Sequence, residues 1–315
     1  MTVGLSTGGR SLSTGSGRQG SPVRKRRRKI DLLPWVLVAP LAIFIVWLAL
    51  IPAAYTIIAS FFRVDELDPP TRFNGIENFI HIFSNDAIVS SMGNTVLYVV
   101  IGLVLSTVLG IFFAVVLGRA FRGRSVLIAV LILPWALPGV VEGIIWVNIW
   151  DGNIGLLNSV LKSLGAIQNY QVFLGHNHFL TVLLIEIVQV WQITPLSTLL
   201  ILASLQNIPA EFYEAGAIDG ASPWKQFRSI TFPLIRPGVT VAMVQAVIAT
   251  LNVFDQPYVL NGAAATGSSV TMQTYFVTFQ NLDFGEGYAL SLIITIATLI
   301  ISFGVLRLVY RPVEF

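Results

Sequence analysis

The chain has 315 residues, of which 55% are hydrophobic and only 11% are charged. A soluble domain carries about 25% charged residues, so this composition excludes a soluble enzyme and a disordered chain and places most of the protein in lipid. The net charge is +3 and there are no cysteines, which excludes disulfides and thiolate metal sites.

The first 29 residues differ from the rest, since they are rich in Ser, Gly and Arg and end in six consecutive basic residues at 24–29. This composition predicts a disordered, basic cytoplasmic tail over 1–29. The apolar run behind it is far longer than the roughly 7–15 residues of a cleaved signal peptide, so we expect an uncleaved membrane anchor. Residues 30–315 are predicted to form one transmembrane domain.

Six apolar runs follow the tail, and each is long enough for a membrane-spanning helix, which needs about 20 residues. They cover 32–62, 87–118, 125–150, 179 to about 205, 238 to about 260, and 287–306. Three acidic residues interrupt them: Glu142 in the third run, Glu186 in the fourth and Asp255 in the fifth. The expected fold class is an all-α membrane protein with six transmembrane helices.

The basic residues indicate how the chain crosses the membrane, because cytoplasmic loops carry an excess of Lys and Arg. With a cytoplasmic N-terminus, sixteen of the nineteen basic residues fall inside, three fall outside and none lies within a run. The sequence therefore predicts a multi-pass protein of the cytoplasmic (inner) membrane with both termini in the cytoplasm.

The loop at 206–238 is long and lies in the cytoplasm in this topology. Its pattern predicts a short helix over 210–219 and a second one from Pro223 toward Thr231. Gly220 between them suits a left-handed helix end. The loop either packs back on its own helices or forms a helix–turn–helix that docks in a groove of a cytoplasmic partner.

This loop resembles the EAA motif of importer-type ABC transporter permeases, which reads Glu-Ala-Ala, three residues, Gly, nine residues, Ile, one residue, Leu-Pro. Here Glu214-Ala215 is followed by Gly216 in place of alanine, and Gly220 stands at the expected place. Ile230 also fits, with Phe232-Pro233 in place of Leu-Pro. Asp219-Gly220-Ala221 is similar to the form found in sugar permeases.

Further stretches are similar to the carbohydrate-uptake branch, and their arrangement resembles the maltose-type first permease. They are Leu33-Pro34, residues 74–79, Asn94-Thr95, Gly123-Arg124, Leu133-Pro134 and residues 152–158. The resemblance implies a type I ABC importer fold and a permease subunit that carries a sugar or oligosaccharide. It also implies three kinds of partner: an ATPase dimer, a second permease and an extracytoplasmic solute-binding protein.

The resemblance assigns coupling to the ATPase to five residues of the loop: Glu214, Ala215, Asp219, Gly220 and Pro233. The chain itself is not expected to be an enzyme. None of its four lysines follows a glycine, so the Gly-Lys-Ser/Thr of a P-loop is missing. We expect no catalytic residue, metal or cofactor in this chain, with ATP and Mg²⁺ bound by the partner ATPase.

Polar side chains within the runs are candidates for a substrate path, because ionisable groups in a span are costly and often functional. The candidates are Asn252, Asp255, Tyr258, Gln189, Glu142 and Glu186. The alternative is that these groups only form hydrogen bonds between helices.

Other functions remain open from sequence alone. The same importer class also carries glycerol 3-phosphate or other polyols, and polyamines, but a phosphate favours basic residues in the path, and no run contains one. An ion-coupled secondary transporter needs inverted repeats, which the sequence does not show. A membrane scaffold would leave the polar residues within the runs unexplained.

Overall fold

The structure is a computed structural model that describes residues 33–67, 69–262 and 266–310, so the predicted tail over 1–29 lies outside the described residues. The chain divides into two units, Met1–Leu50 and Ile51–Phe315. In the first unit, α1 (Leu33–Ile45) continues into a π-helical stretch, Val46–Leu50. Its side chains from Val36 onward are apolar and largely exposed, as expected of a helix surrounded by hydrocarbon.

The second unit is mostly helical, as the sequence predicts. Its helices are α2 (Ile51–Ala59), α3 (Glu77–Ser84), α4 (Asp86–Leu117), α5 (Arg124–Ala136), α6 (Gly139–Trp150), α7 (Leu156–Ser163), α8 (His178–Gln206), α9 (Ala210–Ile218), α10 (Pro223–Gln226), α11 (Phe232–Leu234), α12 (Arg236–Leu251), α13 (Asp255–Asn261), α14 (Val270–Tyr275) and α15 (Phe284–Val309). Two π-helical stretches, Phe227–Thr231 and Phe276–Gln280, join neighbouring helices.

A small antiparallel hairpin departs from the all-α expectation. Strands β1 (Phe62–Arg63) and β2 (Arg72–Phe73) pair with Phe62 opposite Phe73. The two rings meet edge to face with their centroids 5.3 Å apart. Such an aromatic cross-strand pair stabilises a short hairpin, which the apolar pattern alone did not reveal.

Four helical stretches are long and apolar enough to cross a membrane, and two bent pairs qualify when each pair is taken as one span. The four are Val36–Ala59, Asp86–Leu117, His178–Gln206 and Phe284–Val309. In the bent pairs, α5 and α6 meet at 101°, and the helical segment Pro223–Leu234 meets α12 at 67°. The described residues thus contain four to six candidate spans.

The third and fifth apolar runs are not continuous helices. The third run breaks between α5 and α6, where Pro138 forces Leu137 out of the helical region to φ −80° and ψ 139°. The fifth run ends at Leu251, and a separate helix, α13, begins at Asp255. Each break therefore leaves a short helix, α6 or α13, that is separate from the helix before it.

Helices α4, α8 and α12 pack against one another and form the centre of the second unit. Small residues allow their close approach, as in other membrane bundles. A side chain at Gly110 of α4 would lie 3.1 Å from the Cβ of Ser197 on α8. One at Gly102 would collide with the carboxyl group of Glu186 on α8. Helix α15 covers α12, and α13 packs on α6.

The loop after α6 is held by two side chains. The carboxylate of Asp151 accepts hydrogen bonds from the amides of Asn153 (2.7 Å) and Ile154 (2.8 Å), and these bonds lower its pKa below the usual range for aspartate. Asn158 donates to the carbonyls of Asp151 (3.0 Å) and Gln171 (2.9 Å). The resemblance at 152–158 therefore coincides with a structured turn.

Candidate functional site

A buried polar network joins three helices of the second unit. The side-chain amide of Gln256, on α13, donates to Glu142 Oε2 on α6 at 3.1 Å and to Gln192 Oε1 on α8 at 3.0 Å. Glu142 is fully buried, and its other oxygen, Oε1, has no hydrogen-bond partner among the described residues. The network therefore holds one unused acceptor in a region where unpaired polar atoms are costly.

The two helix breaks put this network in place. Because α13 is separate from α12, it can lie against α6, and two glycines of α6 make the contact close. A side chain at Gly139 would collide with the carboxylate of Asp255, and one at Gly143 would lie 2.7 Å from the Cβ of Val259. These close contacts bring Gln256 within reach of Glu142.

Aromatic rings surround the network on two sides. Trp146 of α6 lies edge to face against Trp191 of α8, with centroids 5.6 Å apart. The indole Nε1 of Trp146 is buried and has no acceptor among the described residues. On α13, Tyr258 stacks on Phe254 at 5.2 Å and meets Tyr275 edge to face at 6.0 Å. The site thus combines amides, a carboxyl group and aromatic faces.

Three of the sequence candidates lie at the break between α12 and α13. Asn252 is exposed, and its amide donates back to the carbonyl of Ile248 at 2.8 Å. Asp255 is half-buried at the first turn of α13, and Tyr258 is exposed one turn later. The structure therefore brings Asn252, Asp255 and Tyr258 together on one short segment.

The two candidates on α8 face different neighbours. Gln189 donates to the carbonyl of Ala249 on α12 at 3.3 Å. Glu186 is fully buried against Gly102 of α4, and neither of its oxygens has a partner among the described residues. Three residues along a helix correspond to a rotation of about 300°. The side chains of Glu186, Gln189 and Gln192 therefore point in successively different directions and contact different neighbouring helices.

Sequence reasoning gave too little weight to Gln256, Gln192 and Trp146. Their positions beside Asp255, Glu186 and Glu142 in the apolar runs were visible. The sequence pattern does not reveal the helix break at 252–254, and this break turns Gln256 toward α6 and α8.

The loop at 206–238 forms the expected pair of helices. After α9, the amide of Gly220 donates to the carbonyl of Ala217 (3.0 Å) and that of Ala221 to Gly216 (2.9 Å). This is a Schellman motif, and it requires the left-handed φ of +71° that Gly220 adopts. Ser222 then caps α10 by accepting from the amide of Lys225 at 3.4 Å.

The two helices of this loop are also tied to each other. Tyr213 Oη and Thr231 Oγ1 are hydrogen-bonded at 3.0 Å. A side chain at Gly216 would lie 2.9 Å from Cδ1 of Ile230. The glycine that replaces the third alanine of the EAA pattern therefore makes room for the isoleucine of the same pattern. The second helix extends past Thr231 to Leu234, so Pro233 lies in its last turn and is half-buried.

The outer surface of the loop carries exposed apolar side chains next to acidic ones. Ile218 is 86% exposed and Trp224 is 70% exposed. Glu214 and Asp219 are exposed on the same short helix and at its end. Large exposed apolar groups on such a compact element are typical of a docking surface.

Among the described residues, no group of three or more His, Asp or Glu side chains could hold a metal ion.

Comparison with known proteins identifies similar chains. Residues 106–312 match the family described as "Binding-protein-dependent transport system inner membrane component". The chain is 33% identical over 277 residues to the trehalose/maltose transport system permease protein MalF of Thermococcus litoralis, covering 88% of this chain and 92% of the relative. It is 30% identical over 281 residues to the sulfoquinovosyl glycerol transport system permease protein SmoG of Agrobacterium fabrum, covering 88% and 90%.

Among solved structures, a chain of a bacterial ABC transporter involved in the import of the acidic polysaccharide alginate is similar, with a TM-score of 0.76. The match covers 90% of this chain and 97% of that one at 18% identity. At that identity the likeness shows the fold alone, and it confirms the expected importer-type permease fold.

Proposed function

We infer the function of this chain from one premise: it belongs to the family of binding-protein-dependent transport system inner membrane components. It is therefore a membrane subunit of an ATP-binding-cassette importer. We propose that it forms a path for a sugar or oligosaccharide together with a second permease. Separate ATPase subunits supply the energy, and an extracytoplasmic solute-binding protein supplies the substrate.

The proposed topology has six spans, with α5 and α6 counted as one span and α12 as another, and both termini in the cytoplasm. Residues from different loops of the same predicted side support it. Arg119, after the second span, lines one cavity with Tyr213 and Gln226 of the loop at 206–238. Asp65 and Asp283, both predicted to lie outside, form a backbone bridge. Loops predicted to share a side are therefore neighbours in space.

The proposed coupling element is the helix pair of the loop at 206–238, through Glu214, Ala215, Asp219, Gly220 and Pro233. The observation that carries this proposal is the exposure of Ile218 and Trp224 beside Glu214 on a short, internally braced element. These side chains fit a groove of an ATPase that has an apolar floor and a basic rim. Closure of two ATPase subunits would then move two such elements and rock the attached helices.

The proposed substrate path is lined by Glu142, Gln189, Asn252, Asp255 and Tyr258, with Gln192 and Gln256 joining the set. Sugar hydroxyls both donate and accept hydrogen bonds, and three buried atoms lack partners among the described residues: Glu142 Oε1, Gln189 Oε1 and Trp146 Nε1. Aromatic faces such as Tyr258 suit the C–H faces of sugar rings. We include Glu186 in the same set of candidate path residues, although its carboxyl group packs against Gly102 of α4.

Two substitutions in the loop, one of a charge and one of the turn glycine, test the coupling proposal. Glu214→Lys and, separately, Gly220→Pro should reduce co-purification of the ATPase and abolish most uptake, while the chain still inserts in the membrane. Glu211→Lys is the matched control, because Glu211 is an exposed acid on the same helix outside the motif. Normal uptake and normal ATPase recovery in both variants would contradict a coupling role for this loop.

A further inference from the structure

A polar cavity of about 430 Å³ opens between the hairpin, α3 and the start of α15. Its walls are Arg63 and Asp65, Asn74, the exposed side of α3 from Glu77 to Ser84, and Asp283 and Glu286. All of these residues belong to the second unit. The cavity shares no residue with the polar network around Gln256 or with the coupling loop.

The cavity is rich in carboxylates. Four acidic residues line it, against one arginine and one histidine: Asp65, Glu77, Asp283 and Glu286 against Arg63 and His81. Three of the acids have partners within the protein. Arg63 lies 3.6 Å from Asp65, Asp283 accepts from the backbone amide of Glu286 at 2.9 Å, and Glu286 lies 3.2 Å from His81. Four acids against two basic side chains still give the cavity wall an excess of acidic groups.

Two acceptor atoms of the cavity walls are buried without a donor. Glu286 is only 5% exposed; its Oε2 lies 3.2 Å from His81 Nδ1, while its Oε1 has no partner among the described residues. Asn74 donates to Asn78 at 2.9 Å, and its own Oδ1 has no partner there either. Buried acceptors are normally satisfied by protein or by water, so these two can accept a hydrogen bond from a group that enters the cavity.

A basic side chain suits both the unpartnered acceptors and the acidic wall. Lysine and arginine side chains offer only donors, three and five of them respectively. The cavity volume is more than ten times the share of about 30 Å³ that one water molecule takes in the liquid, so a whole side chain fits. The described residues also contain no cluster of three or more His, Asp or Glu groups suited to a metal ion.

We propose that this cavity receives a lysine or arginine side chain of the extracytoplasmic solute-binding protein. The inference rests on the proposed function, which places the hairpin, α3 and the start of α15 outside the membrane. Glu286 forms the buried end of the contact, and exposed Glu77 at the rim attracts the incoming charge. A docked basic side chain would fix the binding protein over this end of the permease.

The test measures binding of the cognate solute-binding protein to the complete transporter in nanodiscs. Glu286→Gln keeps the shape of the side chain but removes its charge. Loss of one member of a buried charge pair costs binding mainly through faster dissociation, so we expect Kd to rise at least about 30-fold.

Glu77→Gln should instead slow the association of the solute-binding protein and weaken the dependence of that rate on salt. Asp86→Asn is the control, since Asp86 is exposed at the start of α4 and lies outside the cavity wall.

The outcomes separate this inference from the proposed function. Unchanged binding in both Glu286→Gln and Glu77→Gln would overturn the inference while leaving the importer proposal intact. If the unaltered transporter did not bind the solute-binding protein at all, the proposed function itself would fail. If Glu286→Gln prevents assembly, the association rate of Glu77→Gln decides, because that residue is exposed. Basal ATP hydrolysis by the control, Asp86→Asn, should equal that of the unaltered transporter.

Discussion

At the scale of single residues, Gln256 joins parts of the chain that are far apart in sequence. One amide nitrogen satisfies both a carboxyl oxygen of Glu142 and the amide oxygen of Gln192. The sequence shows that these three side chains are polar residues in apolar runs, but not that they meet. Their encounter depends on where helices break and pack, which local pattern does not encode.

Gln256→Leu should impair transport more than expression. It removes the shared donor and leaves the buried Glu142 Oε2 unpaired, at a cost of about 1–3 kcal/mol, together with the half-buried Gln192 Oε1. We expect uptake at equal protein level to fall at least about tenfold. Gln280→Leu is the control, because Gln280 is exposed at the end of a π-helical stretch. Equal uptake rates for the two variants would show that the network is only structural.

At the scale of helices, composition predicted the spans and tertiary contacts set the breaks. The predicted runs at 87–118 and 179–205 agree with α4 and α8 to within one residue at each end. No proline or glycine lies within the break at 252–254, although Pro257 in the first turn of α13 also disfavours a continuous helix. The break is stabilised from elsewhere: Ser269 Oγ donates to the carbonyl of Val253 at 2.5 Å, and Thr271 Oγ1 to that of Leu251 at 3.1 Å.

The contact of α4 with α8 and α12 depends on Gly102. A methyl group there would collide with Glu186 and lie 2.5 Å from Cγ2 of Thr250. Gly102→Ala should therefore destabilise the protein by about 1–3 kcal/mol, seen as a lower unfolding temperature in detergent. Gly93→Ala on the same helix is the matched control. Its site has no neighbouring atom within 4 Å, so the change should be neutral or stabilise by up to about 1 kcal/mol. Equal unfolding temperatures for the two variants would refute the packing argument.

At the scale of the whole molecule, the proposed topology rests on charge placement and is consistent with which loops are neighbours in space. Sixteen of nineteen basic residues fall on one predicted side. The loops assigned to that side share a cavity, and loops assigned to the other side pair through Asp65 and Asp283. The sidedness stays a prediction from the placement of Lys and Arg. The sequence could not predict the polar cavity beside the hairpin, because its walls come from three separate segments.

Labelling of introduced cysteines tests this topology, and the chain has no cysteine of its own to interfere. Ser84→Cys and Ser163→Cys should react with a membrane-impermeant maleimide in intact cells, since both positions are exposed and predicted outside. Ser222→Cys, exposed in the coupling loop, should react only after permeabilisation. Labelling of Ser222→Cys in intact cells would reverse the proposed orientation.

We propose above all that this chain is a permease subunit that transports its substrate only together with a separate ATPase. Sugar uptake into proteoliposomes tests it most directly, with the chain reconstituted either alone or with its ATPase, second permease and solute-binding protein. We predict accumulation only in the complete assembly, and only with ATP on the side of the coupling loop. Uptake by the chain alone without ATP would contradict the account.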